Sequence, residues 1–169
     1  MKNLIIIPAR GGSKGIPRKN LRPVAGKPLI YYSIKAALDS NVDARVVVTT
    51  DDEEIALFAE RFGAEVIMRT DELADDKITL DPVIIDAVYK VEKKYSENYI
   101  NIITVQPTSP LLRSQDILNV VEQLVSGRFD SVLTVVDDRH LSWTKVNGNA
   151  IPNYSERVNR QQLPLNYKE

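Results

Sequence analysis

Thirteen consecutive residues hold most of the chemistry in this sequence: Pro8-Ala9-Arg10-Gly11-Gly12-Ser13-Lys14-Gly15-Ile16-Pro17-Arg18-Lys19-Asn20. Arg10, Lys14, Arg18 and Lys19 bring positive charge, and Ser13 brings a hydroxyl. Gly11, Gly12 and Gly15 allow the backbone to approach a ligand and to turn N–H groups toward it. No acid interrupts the run. In chemical terms this is a cradle for a polyphosphate. It is neither of two familiar phosphate loops. The sequence contains no Gly-Lys followed by Ser or Thr, and glycines at 11, 12 and 15 do not make G-x-G-x-x-G. P-loop kinases and NAD-dependent dehydrogenases therefore do not fit.

The charge around this loop is segregated. The chain of 169 residues has 22 Lys+Arg and 23 Asp+Glu, for a formal net charge of −1. Its first 38 residues contain eight cations and no acid; the remainder carries a net charge of −9. A cationic leader on an acidic body implies a localised anion site, and the whole chain is not basic enough for non-specific nucleic-acid binding. With no cysteine, disulfides, thiolate nucleophiles and Cys-ligated zinc are excluded. The apolar run Leu4 to Ile7 is too short for a signal segment or a membrane span. A soluble cytoplasmic protein without membrane contact is expected.

The elements that position the loop follow from apolar patterning. Leu4 to Ile7, Val46 to Val48, Val66 to Met68, Ile100 to Val105 and Val132 to Val136 read as strands, the first two buried on both faces. Between them, helical spacing marks Pro28 to Leu38, a helix through Ile55 and Phe62 ended by Gly63, Ile84 to Tyr95, and Ile117 to Val125. The alternation predicts an α/β protein, a three-layer α/β/α sandwich with a mostly parallel sheet. Its ligand belongs at the carboxyl ends of the strands, where the glycine-rich loop begins. Two segments are expected: a nucleotide-binding core over residues 1–138, and an irregular arm over 139–169 that makes a homodimer.

Residues 8–20 resemble the signature of the acylneuraminate cytidylyltransferases, also called CMP-sialic acid synthetases. Further matches follow in order: Thr50-Asp51, Arg69, Glu72-Leu73-Ala74 with Asp76, Gln106-Pro107-Thr108-Ser109-Pro110, and Arg160-Gln161-Gln162-Leu163-Pro164. The related cytidylyltransferases for 3-deoxy-manno-octulosonic acid have Lys-Pro where this chain has Lys19-Asn20, and an acid in the loop after the fourth strand. The resemblance implies a fold of the nucleotide-diphospho-sugar transferase type with a C-terminal dimerisation arm. It implies a reaction in which the anomeric hydroxyl of an acidic nine-carbon sugar attacks the α-phosphorus of CTP. Pyrophosphate leaves, assisted by Mg²⁺. The sugar could be sialic, legionaminic or pseudaminic acid.

The resemblance also implies roles. Arg10 and Lys19 are the catalytic cations that stabilise charge at the α-phosphate. Gly11, Gly12 and Ser13 hold the β- and γ-phosphates, and Lys14 neutralises departing pyrophosphate. Asn20 and the segment around Arg69 help place cytosine. Gln106, Thr108 and Ser109 contact the sugar, and Arg160 with Gln161 clamps its carboxylate. Family members are longer, and the aspartate pair that helps bind Mg²⁺ is expected beyond residue 169. A second reading follows from that length: a non-catalytic, CTP-binding and dimerising fragment without the metal-binding segment. A third is a nucleotidyltransferase for another nucleotide, such as a guanylyltransferase. Asp75-Asp76 reads as a solvated loop before a helix, and His140 as an arm residue.

Overall fold

Leu4, Ile5, Ile6 and Ile7 are fully buried, so β1 (Asn3–Pro8) has no solvent face. The computed structural model describes residues 2–127 and 129–168. After β1 come a 3-10 turn (Lys19–Leu21), β2 (Pro23–Val24), β3 (Lys27–Pro28) and α1 (Leu29–Leu38). Then follow β4 (Ala44–Thr50), α2 (Glu53–Arg61), β5 (Glu65–Met68), a 3-10 turn (Asp71–Ala74), α3 (Leu80–Tyr95), β6 (Asn101–Thr104) and α4 (Ser114–Ser126). The main sheet has the order β5-β4-β1-β6, and every pair in it is parallel. The order reverses beside β1, which makes the carboxyl end of β1 the switch point of the sheet.

Period-two alternation sends the side chains of β1 and β4 to two apolar layers. On one face Ile5, Ile7, Val46 and Val48 pack with Ile30 and Ile34 of α1, Ile55 and Ala59 of α2, and Ile117 of α4. On the other, Leu4, Ile6 and Val47 pack with Ala87 and Val91 of α3. Full burial of each such side chain is worth about 1.5–3 kcal/mol. The result is the expected α/β/α sandwich.

Local chemistry sets the boundaries. Asp52 caps α2, its carboxylate accepting from the N–H groups of Glu54 and Ile55 at 3.0 Å. Gly63 (φ 94°) ends it: Gly63 N–H donates to Glu60 O and Ala64 N–H to Ala59 O, both at 3.0 Å. This Schellman arrangement needs a left-handed residue just past the helix. α3 begins at Leu80, four residues before the expected Ile84, because Pro82 in the first turn needs no N–H partner.

The chain divides into two compact units, Met1–Glu122 and Gln123–Glu169. The second differs from expectation in two places. Val132 to Val135 forms no strand; only β7 (Val136–Asp137) pairs, with β10 (Tyr167–Lys168). Leu133, Val135 and Val136 are exposed, so the run lacks the apolar neighbours its composition anticipates. The stretch read as irregular contains a hairpin, β8 (Trp143–Val146) with β9 (Asn149–Pro152). Asn147 (φ 49°) and Gly148 (φ 84°) both take left-handed backbone at its tip, as a type I′ turn requires. Among the described residues no helix is long and apolar enough to cross a membrane.

Candidate functional site

Sheet pairing delivers three loops to one edge. Ala9 N–H donates to Thr49 O (3.0 Å), Arg69 N–H to Thr50 O (2.9 Å) and Val105 N–H to Ile6 O (2.9 Å). Each bond carries the sheet register one residue past a strand, so each loop starts from a fixed point. Between the loops lies a cleft of about 240 Å³. Arg10, Ser13, Lys19, Asn20, Arg69, Gln106 and Thr108 line it, seven of the residues singled out in the sequence.

The glycine-rich loop is tied down at both ends. Gly11 N–H donates to Asp51 Oδ1 at 3.2 Å. Arg18, in left-handed backbone (φ 54°), reaches Asp52 at 3.1 Å and Glu54 at 2.6 Å at the head of α2. Asn20 is buried, and its side-chain amide donates to Arg10 O at 3.0 Å. Asn20 thus braces the loop it follows. Gly11 sits hard against α2: a Cβ there would lie 2.5 Å from Asp52 Oδ2 and 2.9 Å from Asp52 Cβ. Gly12 and Gly15 face open space.

Two carboxylates organise the cations. Asp51 Oδ1 lies 3.3 Å from the Arg69 guanidinium as well as accepting from Gly11. Arg69 is 8% exposed, and burial pulls its pKa below the usual arginine value while Asp51 opposes the shift. Arginine keeps its proton in such surroundings. Its Nε is buried and has no acceptor among the described residues. Asp76 bridges Arg10 at 2.7 Å and Lys14 at 2.5 Å. Its bond to Lys14 holds the carboxyl below the usual carboxylate range and raises the lysine in turn.

The sequence pattern identified the cations but not these pairings. Asp75 and Asp76, read as a solvated loop, line the cleft, with Leu73, Ile78 and Val83 as its apolar wall. The available signal was charge complementarity, since an acid-free leader needs counter-charges from elsewhere in the chain. Arg160 and Gln161 belong to the second unit, in a 3-10 turn (Arg160–Gln162) where Arg160 donates to Asp137 O at 3.4 Å.

The described residues form no all-protein cage for the expected Mg²⁺. They contain no cluster of three or more His, Asp or Glu side chains able to hold a metal. Asp51 faces Gly11 and Arg69, and Asp76 faces Arg10 and Lys14. Magnesium needs free carboxylate oxygens in octahedral geometry, usually completed by water and substrate phosphates.

A family model described as Cytidylyltransferase matches residues 4–163. N-acylneuraminate cytidylyltransferase A of Danio rerio is 40% identical over 141 residues, covering 83% of this chain and 32% of that protein. Pseudaminic acid cytidylyltransferase of Campylobacter jejuni is 40% identical over 129 residues, covering 76% of this chain and 55% of that protein. CMP:2-keto-3-deoxy-manno-octonic acid synthetase, solved in complex with CTP, superposes with a TM-score of 0.65 at 28% identity, over 81% of this chain and 52% of that one. Against these two curated relatives the chain spans 32% and 55% of their length.

Proposed function

This chain belongs to the cytidylyltransferase family, and from that premise we propose that it activates a nonulosonic acid, N-acetylneuraminate or a close relative, with CTP. The products are the CMP-sugar and pyrophosphate. One observation carries the proposal: Arg10, Lys19 and buried Arg69 converge on a single cleft at the switch point of a parallel sheet. Such a cleft suits a polyanion and not a neutral metabolite.

The chemistry follows from the side chains. The sugar's anomeric oxygen forms a bond to the α-phosphorus as the bond to the pyrophosphate oxygen breaks. Negative charge grows on the phosphate oxygens at that moment. Arg10 and Lys19 neutralise it, while the segment of Gly11, Gly12 and Ser13 fixes the β- and γ-phosphates through the Gly12 N–H and the Ser13 hydroxyl, since the Gly11 N–H donates to Asp51 and the Ser13 N–H to Gly11 O. Lys14 accompanies the pyrophosphate. Cytosine lies toward Arg69, whose unpartnered Nε needs an acceptor; a buried donor without one costs about 1–3 kcal/mol. Gln106, Thr108 and Ser109 serve the sugar. Mg²⁺ assistance and homodimerisation through the arm belong to the same proposal.

The test is pyrophosphate release with CTP, Mg²⁺ and a panel of sialic, legionaminic and pseudaminic acids. Turnover with one acid identifies the substrate. CTP binding without turnover across the panel replaces the proposal with the second reading, a non-catalytic CTP-binding unit. Where turnover is found, Lys19→Ala is expected to lower kcat by about a hundredfold while changing CTP affinity much less. A proportional loss of both would make Lys19 a ground-state binding residue.

A further inference from the structure

Asp76 stands where the proposed nucleotide's own charge would go. One of its carboxylate oxygens holds Arg10 at 2.7 Å and the other holds Lys14 at 2.5 Å. Asp76 lines the cleft with Arg10. Its neighbour Asp75 does different work. The Asp75 carboxylate accepts from Lys77 N–H at 2.8 Å, and the Asp75 carbonyl accepts from Ile78 N–H at 3.2 Å. Asp75 therefore fixes the turn, and the turn aims Asp76 across the cleft at the glycine-rich loop.

Two cations side by side repel each other, and without a counter-charge they would swing apart into solvent. A single carboxylate keeps them together but offers one negative charge. A pyrophosphate group offers several, so it displaces the carboxylate when it arrives. We propose that Asp76 is an internal counter-anion that holds Arg10 and Lys14 until the nucleotide binds, yields Arg10 to the α-phosphate and Lys14 to the β- and γ-phosphates, and retakes them as the products leave. This rests on the nucleotide reading given above. The mutual pKa shifts of Asp76 and Lys14 are those of a pair already engaged before any ligand binds. Asp76 thereby discriminates among ligands. Those carrying β- and γ-phosphates must displace it from both cations, and a nucleoside monophosphate from Arg10 alone.

Isothermal titration of the whole chain in magnesium-free buffer tests this, with inorganic pyrophosphate, CTP and CMP as probes. Asp76→Asn removes the competing charge and nearly preserves shape. Pyrophosphate and CTP are expected to bind about two- to fivefold more tightly, the range an exposed ion pair provides, with CMP tightened less. Asp76→Ala should repeat the pattern, and circular dichroism verifies that both variants fold. Unchanged or weaker pyrophosphate binding overturns the counter-anion role. So does equal tightening of CMP, which would indicate a general change of field. Normal CTP binding by the unmodified chain, with Asp76→Asn indistinguishable from it, sinks this role alone. Absence of any polyphosphate binding overturns the nucleotide reading along with it.

Discussion

Asp51 touches two parts of the site at once. It accepts the Gly11 N–H and pairs with Arg69, whose side chain is 4% exposed. Removing one partner of a buried pair strands the other charge in a poorly solvated place, which costs more than the pair itself contributes. Asp51→Ala should therefore destabilise the protein by about 2–4 kcal/mol in urea unfolding. A loss below about 0.5 kcal/mol would mean that Arg69 finds water instead. This scale also shows where the sequence stopped being informative. Residue types and spacing were enough to single out Arg10, Lys14 and Lys19. Asp76 lies more than sixty positions from Arg10 and Lys14, and nothing local to it shows that those cations face it. Asn20 was legible as a site residue, but its brace on Arg10 O depends on how the chain turns between them.

Elements were more legible than contacts. Leu4 to Ile7 of β1 and Val46 to Val48 of β4 are buried on both faces, so each is a continuous apolar run legible in the sequence. The cap at Asp52 and the stop at Gly63 obey rules that act over a few residues. The misses have physical causes. Val132 to Val136 has the composition of a strand, but a strand also requires an edge to pair with, and composition carries no information about edges. The Asn147-Gly148 hairpin carries a turn signal, but its flanks are exposed and lack the apolar alternation that marks paired strands. The junction of the glycine-rich loop with α2 supports a prediction at this scale. Gly11→Ala drives a methyl group into Asp52, which caps α2, so loop and helix must shift together. About 1–2 kcal/mol of stability should be lost, with weaker nucleotide binding. Gly12→Ala, which faces open space, should leave stability within about 0.5 kcal/mol. Equal effects from the two would mean that the loop stands free of α2.

At the scale of the whole molecule, a net charge of −1 conceals a cationic leader and an acidic remainder. Part of that remainder returns to the leader as Asp51, Asp52, Glu54 and Asp76. The second unit exposes Trp143, which stacks edge-on against Tyr154 at 5.9 Å. Exposed aromatic side chains of this kind are enriched in protein interfaces. Light scattering at micromolar concentration should report a dimer, and Trp143→Ala should shift it toward monomer; a monomeric parent chain would count against the arm as a dimerisation element. The claim on which the rest depends is that the cleft at the end of β1 is a cytidine triphosphate site. Melting-temperature shifts with CTP, UTP, GTP and ATP at matched concentration test it directly, because at a given concentration a ligand's stabilisation of the folded chain grows with the logarithm of its affinity. CTP should raise the midpoint well above the other three, whereas equal shifts from all four, or none from CTP, would contradict cytidine recognition at this cleft.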